Sequence, residues 1–134
     1  MKLVFQAYGQ LNIIHQNIFS IFSLLDKLNG QFEELKIIVY TDNVNAFEKY
    51  FTGISQISYR KIDAAQIKKW RGAIDFVHRV KVEILKEVSE QYHDDVFYVD
   101  GDTLFLDSPI KLFKLVDNKN SLMHICENVI SAGK

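Results

Sequence analysis

Short apolar, β-branched runs alternate along the chain with longer amphipathic segments, and this alternation narrows the possible folds more than any other property. Runs with the length and composition of strands occupy residues 2–7, 35–42, 57–63 and 95–100. Strands that alternate with helices form a parallel sheet covered by helices on both faces. The sequence therefore predicts an α/β fold with a Rossmann-like, mostly parallel sheet.

The segments between these runs have helical periodicity. The patterns predict helices over 12–29, 45–51 and 72–90, with Gly30 ending the first and an Asn45–Glu48 capping box starting the second. A short helix is predicted at 108–116 and a last strand at 121–128. The predicted core-facing stripes are Ile14, Ile18, Phe22, Leu25 and Leu28 in the first helix, and Ile74, Val77, Val80, Ile84 and Val88 in the third.

The bulk properties fit one globular domain spanning residues 1–134. An apolar share of 48% at this length is enough for a substantial core. The net charge of −1 argues against a nucleic-acid partner, and a single cysteine, Cys126, fits a reducing compartment. The chain shows neither a signal peptide nor a transmembrane segment, so we expect a cytoplasmic protein.

Polar side chains follow the predicted strands, at Tyr8, Asp42, Asp63, Asp100 and Asp102. Because the carboxyl ends of parallel strands meet at one edge of a sheet, these side chains should gather along one rim. Ligands of open α/β sheets bind at that edge. The rim is therefore the expected ligand site.

Asp100 and Asp102 flank Gly101 in "VFYVDGDTLFLDSP", and in an extended segment residues i and i+2 point the same way. Two adjacent carboxylates repel each other unless a cation lies between them, and hard oxygen donors suit Mg²⁺ or Mn²⁺. Gly101 would let a ligand approach the backbone closely. The alternative is that the two acids only end a strand and hydrogen-bond to a turn.

The segment "VFYVDGDTLFLDSPIKLF" resembles the Asp-x-Asp segment of nucleotide-sugar-dependent glycosyltransferases with the GT-A fold. "VHRVKVEIL" resembles the helix that precedes this segment, and "IIVYTD" and "VFQAYG" resemble the second and first strands. The branch that it resembles most is the glycogenin-like and lipopolysaccharide galactosyltransferase-like one. The resemblance implies transfer of a sugar from a nucleotide-diphosphate sugar, assisted by Mn²⁺ or Mg²⁺. A UDP-sugar is the first candidate for this donor.

The resemblance also implies roles for particular residues. Asp102 would bind the metal directly, and Asp100 would contact the ribose and the metal. Arg79 would approach the diphosphate or the two acids, with Lys81 as the weaker candidate. The remaining nucleotide-sugar-binding candidates are Ala7, Tyr8, Gly9, Asp42 and Gly101. As alternatives, Arg79 and Lys81 form a solvated helix face, Tyr8 packs in the core, and Asp42 caps the next helix.

Enzymes of this kind run to about twice this length, so the resemblance extends only over their donor-binding half. We therefore expect a truncated or shortened relative that self-associates, because its sheet would keep an open edge. No catalytic base or nucleophile is evident. Two other functions remain open, a non-catalytic sugar-nucleotide-binding module and a phosphohydrolase of the haloacid-dehalogenase type. "DGDTLFLDS" is similar to the "DxDGTLxDS" of those phosphohydrolases, although Thr103 comes one position too early.

Overall fold

The computed structural model describes residues 1–30, 35–117 and 120–122. In chain order the elements are β1 (Lys2–Ala7), α1 (Leu11–Leu28), β2 (Lys36–Thr41), α2 (Val44–Phe51), β3 (Ile57–Lys61), α3 (Ala64–Arg71), α4 (Arg79–Tyr92), β4 (Val96–Val99) and α5 (Ile110–Phe113). The four strands form one sheet in the order β3-β2-β1-β4, and every neighbouring pair is parallel. The predicted α/β fold with a parallel sheet is confirmed.

Helices cover both faces of this sheet. Alternate residues of a strand point to opposite faces, so each central strand contributes side chains to two separate groups of core residues. On one face, Leu3, Phe5 and Ala7 of β1 pack with the buried residues of α1 and α2. On the other face, Val4 packs with Trp70 of α3 and with the buried residues of α4. The central strands β1 and β2 are thus buried on both sides, which explains why they read as continuous apolar runs.

The buried face of α1 differs from the predicted stripe. Its buried residues are Ile14, Asn17, Ile18, Ser20, Ile21, Leu24 and Leu28. Phe22, predicted to face the core, is 43% exposed and packs against the ring of Phe51 at a centroid distance of 4.9 Å. The true stripe advances by alternating steps of three and four residues and therefore includes a polar residue, Asn17.

The predicted capping box of α2 is wrong. Asn43, two residues earlier, is the N-cap, and its side chain accepts a hydrogen bond from the backbone N–H of Ala46 at 3.3 Å. Asn45 lies inside the helix because Val44 is already helical.

The predicted helix over 72–90 was too long at its start, since α4 begins at Arg79. Gly72 and Asp75 have positive φ values of 69° and 54°, which a helix does not tolerate. Ile74 and Val77, placed in the predicted stripe, are 82% and 49% exposed. The preceding helix α3 was not predicted, because only Trp70 of its eight residues is buried and no apolar stripe marks it.

The first strand matches its predicted range of 2–7, and most other boundaries are within one or two residues of the predictions. The short helix α5 covers only part of the predicted 108–116. The last predicted strand falls almost entirely on residues beyond Leu122, which lie outside the described ranges. Within those ranges no helix is both long and apolar enough to cross a membrane.

Asp63 offers a direct test of how α3 begins. Its side chain accepts a hydrogen bond from the backbone N–H of Gln66 at 2.7 Å, as an N-cap residue does. We expect Asp63→Ala to lower the free energy of unfolding by about 1 kcal/mol, because the N–H loses its acceptor. Asp63→Asn keeps an acceptor oxygen and should retain most of the stability. Urea unfolding of the three proteins measures this, and equal losses in both variants would contradict the capping role.

Candidate functional site

Two clefts open at the carboxyl edge of the sheet. The first cleft, of about 710 Å³, is lined by Tyr8, Gly9, Asp42, Ala64, Ile67, Lys68, Arg71, Gly72, Ala73 and Asp75. The acidic cleft, of about 370 Å³, is lined by Gln6, Ile13, Gln16, Asn17, Val77, His78, Lys81, Tyr98, Asp100, Gly101 and Asp102. The connection between α3 and α4 contributes residues to both clefts.

In the first cleft, Asp42 holds the loop that follows β1. Its Oδ2 accepts a hydrogen bond from the backbone N–H of Gly9 at 3.0 Å. Gly9 has a φ of 86°, in the left-handed region where glycine is favoured. Asp42 therefore does not cap α2, a task that Asn43 performs, but joins the ends of β1 and β2 at the cleft wall.

The opposite wall of the first cleft carries cations from α3. Arg71 pairs with Asp75, with 2.9 Å between Nε and Oδ1 and 3.0 Å between Nη2 and Oδ2. Burial raises the pKa of the Tyr8 hydroxyl, while the positive charge of Arg71 acts in the opposite direction. Tyr8 therefore stays a neutral hydroxyl on the wall. Lys68 and Arg71 were missed from the sequence because α3 itself was missed.

The three predicted nucleotide-sugar-binding residues at the end of β1, which are Ala7, Tyr8 and Gly9, do not all lie at a cleft. Tyr8 and Gly9 line the first cleft, but the side chain of Ala7 is fully buried in the core. Ala7 lines neither cleft, so the structure does not bring it into the site with Tyr8 and Gly9.

In the acidic cleft, Lys81 is the partner of Asp100. Its Nζ lies 2.8 Å from Asp100 Oδ1 and 4.6 Å from the centroid of the Tyr98 ring. The Tyr98 hydroxyl donates a hydrogen bond to Gln6 Oε1 at 3.1 Å. Burial, followed by the charge of Asp100, raises the pKa of Tyr98, so that its hydroxyl remains a donor. A fixed ring thus supports the ammonium group that faces the acid.

Asp102 has a different environment. It is exposed and makes no hydrogen bond or ion pair with any residue of the described ranges. The backbone N–H of Thr103 donates to the carbonyl of Asp100 at 3.0 Å, so the two acids do lie on a turn. The two acids therefore lie both on a turn and at a cleft, and the carboxylate of Asp102 is open to solvent there.

Arg79, predicted to approach the two acids or the diphosphate, is not among the residues that line either cleft. Its Nε is 3.3 Å from Glu83 Oε1, and its side chain packs against Gly72. In the described structure Lys81, the weaker candidate from the sequence, is therefore the side chain that contacts Asp100.

Gly101 is in contact with Asn17 of α1. A Cβ atom added at Gly101 would lie 2.6 Å from Cγ and 2.9 Å from Oδ1 of Asn17, and closer still to Nδ2. The φ of Gly101 is not in the left-handed region, so the space and not the backbone conformation demands glycine. The sequence suggested that Gly101 lets a ligand approach, whereas here a protein side chain fills that place. The interruption of an apolar stripe by Asn17 was the signal available in the sequence.

The carboxylates of the acidic cleft are compatible with a divalent cation that takes its other ligands from a bound phosphate compound and from water. The described residues contain no group of three or more His, Cys, Asp or Glu side chains arranged for a metal. Asp100 and Asp102 would supply one or two carboxylates, and Mg²⁺ commonly takes its other ligands from phosphate oxygens and water. These two acids thus fit a cation held together with a diphosphate.

Comparison with solved structures gives the fold. A galactosyltransferase, LgtC, solved in complex with donor and acceptor sugar analogs, matches with a TM-score of 0.57 at 19% identity. The described fold resembles that of LgtC, which is of the GT-A type. An active-site mutant of LgtC matches with a TM-score of 0.56 at 18% identity. Each match covers 84% of this chain but only 41% of the LgtC chain, so the chain spans less than half the length of that enzyme. No family model and no curated protein matches the sequence.

Proposed function

We propose that this chain binds a nucleotide-diphosphate sugar, with a UDP-sugar as the first candidate, and that it does so for metal-assisted glycosyl transfer. One observation carries the proposal. Within a glycosyltransferase-like fold, a lysine and two aspartates converge on one cleft at the carboxyl edge of the sheet.

Charge is the chemical reason for this assignment. Glycosyl transfer expels a nucleoside diphosphate, and negative charge grows on its phosphate oxygens as the glycosidic bond breaks. A bound Mn²⁺ or Mg²⁺ would neutralise part of that charge. Lys81, whose Nζ lies over the Tyr98 ring, would supply a second positive charge beside the diphosphate. Asp100 and Asp102 are the residues that would hold the cation.

The first cleft suits the nucleoside. Its walls offer the Tyr8 hydroxyl, the Asp42 carboxylate and the cations of α3. Asp42 already holds the Gly9 loop through one oxygen, Oδ2, so its other oxygen is available to a ribose or base donor. A nucleotide spanning both clefts would place its base beside Tyr8 and its diphosphate beside Lys81.

A haloacid-dehalogenase-type reaction is less well supported. Those enzymes use the first aspartate of "DxDGTLxDS" as a nucleophile. In that motif glycine follows the two acids, and threonine comes after the glycine. Here Gly101 lies between Asp100 and Asp102, and Thr103 follows Asp102 directly.

A thermal-shift assay separates these functions. We expect UDP and UDP-sugars to raise the melting temperature, and Mn²⁺ to enlarge the shift, because ligands that bind only the folded state stabilise it. UMP should give a smaller Mn²⁺ effect, since it lacks the second phosphate. No shift with any nucleotide, together with hydrolysis of a generic phosphomonoester, would overturn the proposal in favour of a phosphohydrolase.

A further inference from the structure

Asn17 is a buried polar residue that the fold alone does not explain. It is 0% exposed and lies on the core-facing side of α1, yet it also lines the acidic cleft. Its Nδ2 donates to the carbonyl of Ile13, one turn earlier in the same helix, at 2.9 Å. Its Oδ1 is buried without a hydrogen-bond partner among the described residues. An unsatisfied buried carbonyl lowers stability, so a residue retained at that cost is a candidate for a role in function.

The contact with Gly101 suggests what that role is. The bond to Ile13 fixes the orientation of the amide, and the atom nearest to the missing Cβ of Gly101 is Nδ2. The positive end of the Asn17 amide dipole therefore lies against the backbone of Gly101, between the carboxylates of Asp100 and Asp102. A side chain on residue 101 would displace either the amide or the turn, and the turn carries Asp100 and Asp102.

We propose that Asn17 is a positioning residue for the Asp100–Gly101–Asp102 turn, and that it sets the direction of the two carboxylates from beneath. The inference rests on the proposed function, because its consequence is the affinity for a cation and a diphosphate together. It assigns to α1 a part in the site, and it gives a reason for glycine at position 101 that involves no ligand.

A double-mutant cycle tests this contact on the full chain. The variants are Asn17→Ala, Gly101→Ala and the double variant, and the readout is the Mn²⁺ enhancement, defined as the Kd of UDP in EDTA divided by its Kd in Mn²⁺. Gly101→Ala should reduce the enhancement about fivefold, because the new methyl group overlaps the Asn17 amide and moves the turn. Asn17→Ala should reduce it less, and the double variant should recover most of the loss of Gly101→Ala.

Ser20→Ala is the matched control. Ser20 is also 0% exposed on α1, and its Oγ also lacks a partner among the described residues, but it does not line the acidic cleft. It should leave the enhancement unchanged, whatever it does to the melting temperature.

The outcomes distinguish the inference from the function on which it rests. Wild-type protein without any Mn²⁺ enhancement would overturn the proposed function itself. A normal enhancement in the wild type, combined with strictly additive effects in the double variant or an equal loss in Ser20→Ala, would overturn the positioning role and leave the function intact. Recovery in the double variant, together with a loss of enhancement in Asn17→Ala alone, supports Asn17 as a positioning residue, and an unchanged enhancement in Asn17→Ala would overturn that role.

Discussion

Replacing Asp102 with Asn is expected to remove most of the Mn²⁺-dependent part of UDP binding. Asp102 has no protein partner in the described ranges and is exposed at the acidic cleft, so its full charge is available to a cation. Asparagine keeps the shape of the side chain and removes that charge. The loss should be on the order of 1–3 kcal/mol, the range for removing a charged partner from an interaction. Calorimetric titration of UDP with Mn²⁺ and with EDTA measures it.

The binding measured in EDTA should be unaffected, because we propose that the base and ribose bind in the first cleft and not beside Asp102. The fold should also survive, since an exposed carboxylate adds little stability. Asp107→Asn is the control, as Asp107 is an exposed acid in the same segment but pairs with Lys111 at 3.3 Å, outside the cleft. If Asp102→Asn and wild type show the same Mn²⁺ enhancement, Asp102 is only a turn residue.

The architecture could be predicted because the central strands are buried on both faces. Their apolar runs, such as Lys36–Thr41, are long enough to stand out against helical periodicity. The weak point was the region between β3 and α4. There α3 buries a single side chain, Trp70, while exposed Ile74 and Val77 extend the apolar pattern of α4 into a loop. Periodicity detects burial, so it fails where an element buries little or where apolar residues are exposed.

The sequence was enough to predict where the two acids of the site lie, but not which residues contact them. The position of Asp100 and Asp102 at the cleft follows from the meeting of parallel strands at one edge, although the two acids lie on a turn after β4 and not in an extended segment. The choice between Arg79 and Lys81 depends on the rotation of α4 about its axis. Burial of Val80, Ile84 and Val88 sets that rotation, but it does not fix which flanking cation reaches β4. Asn17 needed the three-dimensional approach of α1 to a turn 84 positions later in the chain.

Replacing Lys81 with Met is expected to have opposite effects on two ligands. Lys81 Nζ lies 2.8 Å from Asp100 Oδ1, where it competes with a metal ion for the carboxylate. Without it, Mn²⁺ alone should bind several-fold more tightly, because the two acids lose their internal counter-charge. UDP in EDTA should bind about tenfold more weakly, since the diphosphate loses a charged hydrogen-bond donor. Methionine keeps an apolar contact with the Tyr98 ring, so the local packing should be preserved.

Two titrations give the answer, one of Mn²⁺ without nucleotide and one of UDP with EDTA. Lys86→Met is the matched control, because Lys86 is also on α4 but pairs with Glu90 at 3.9 Å and does not line the cleft. It should change neither affinity. A Lys81→Met protein that binds both ligands as the wild type does would show that the Lys81–Asp100 pair is a surface ion pair of the kind that contributes little. Opposite shifts in the two titrations would instead identify Lys81 as a built-in cation that shares Asp100 with the metal and turns to the diphosphate when the metal binds.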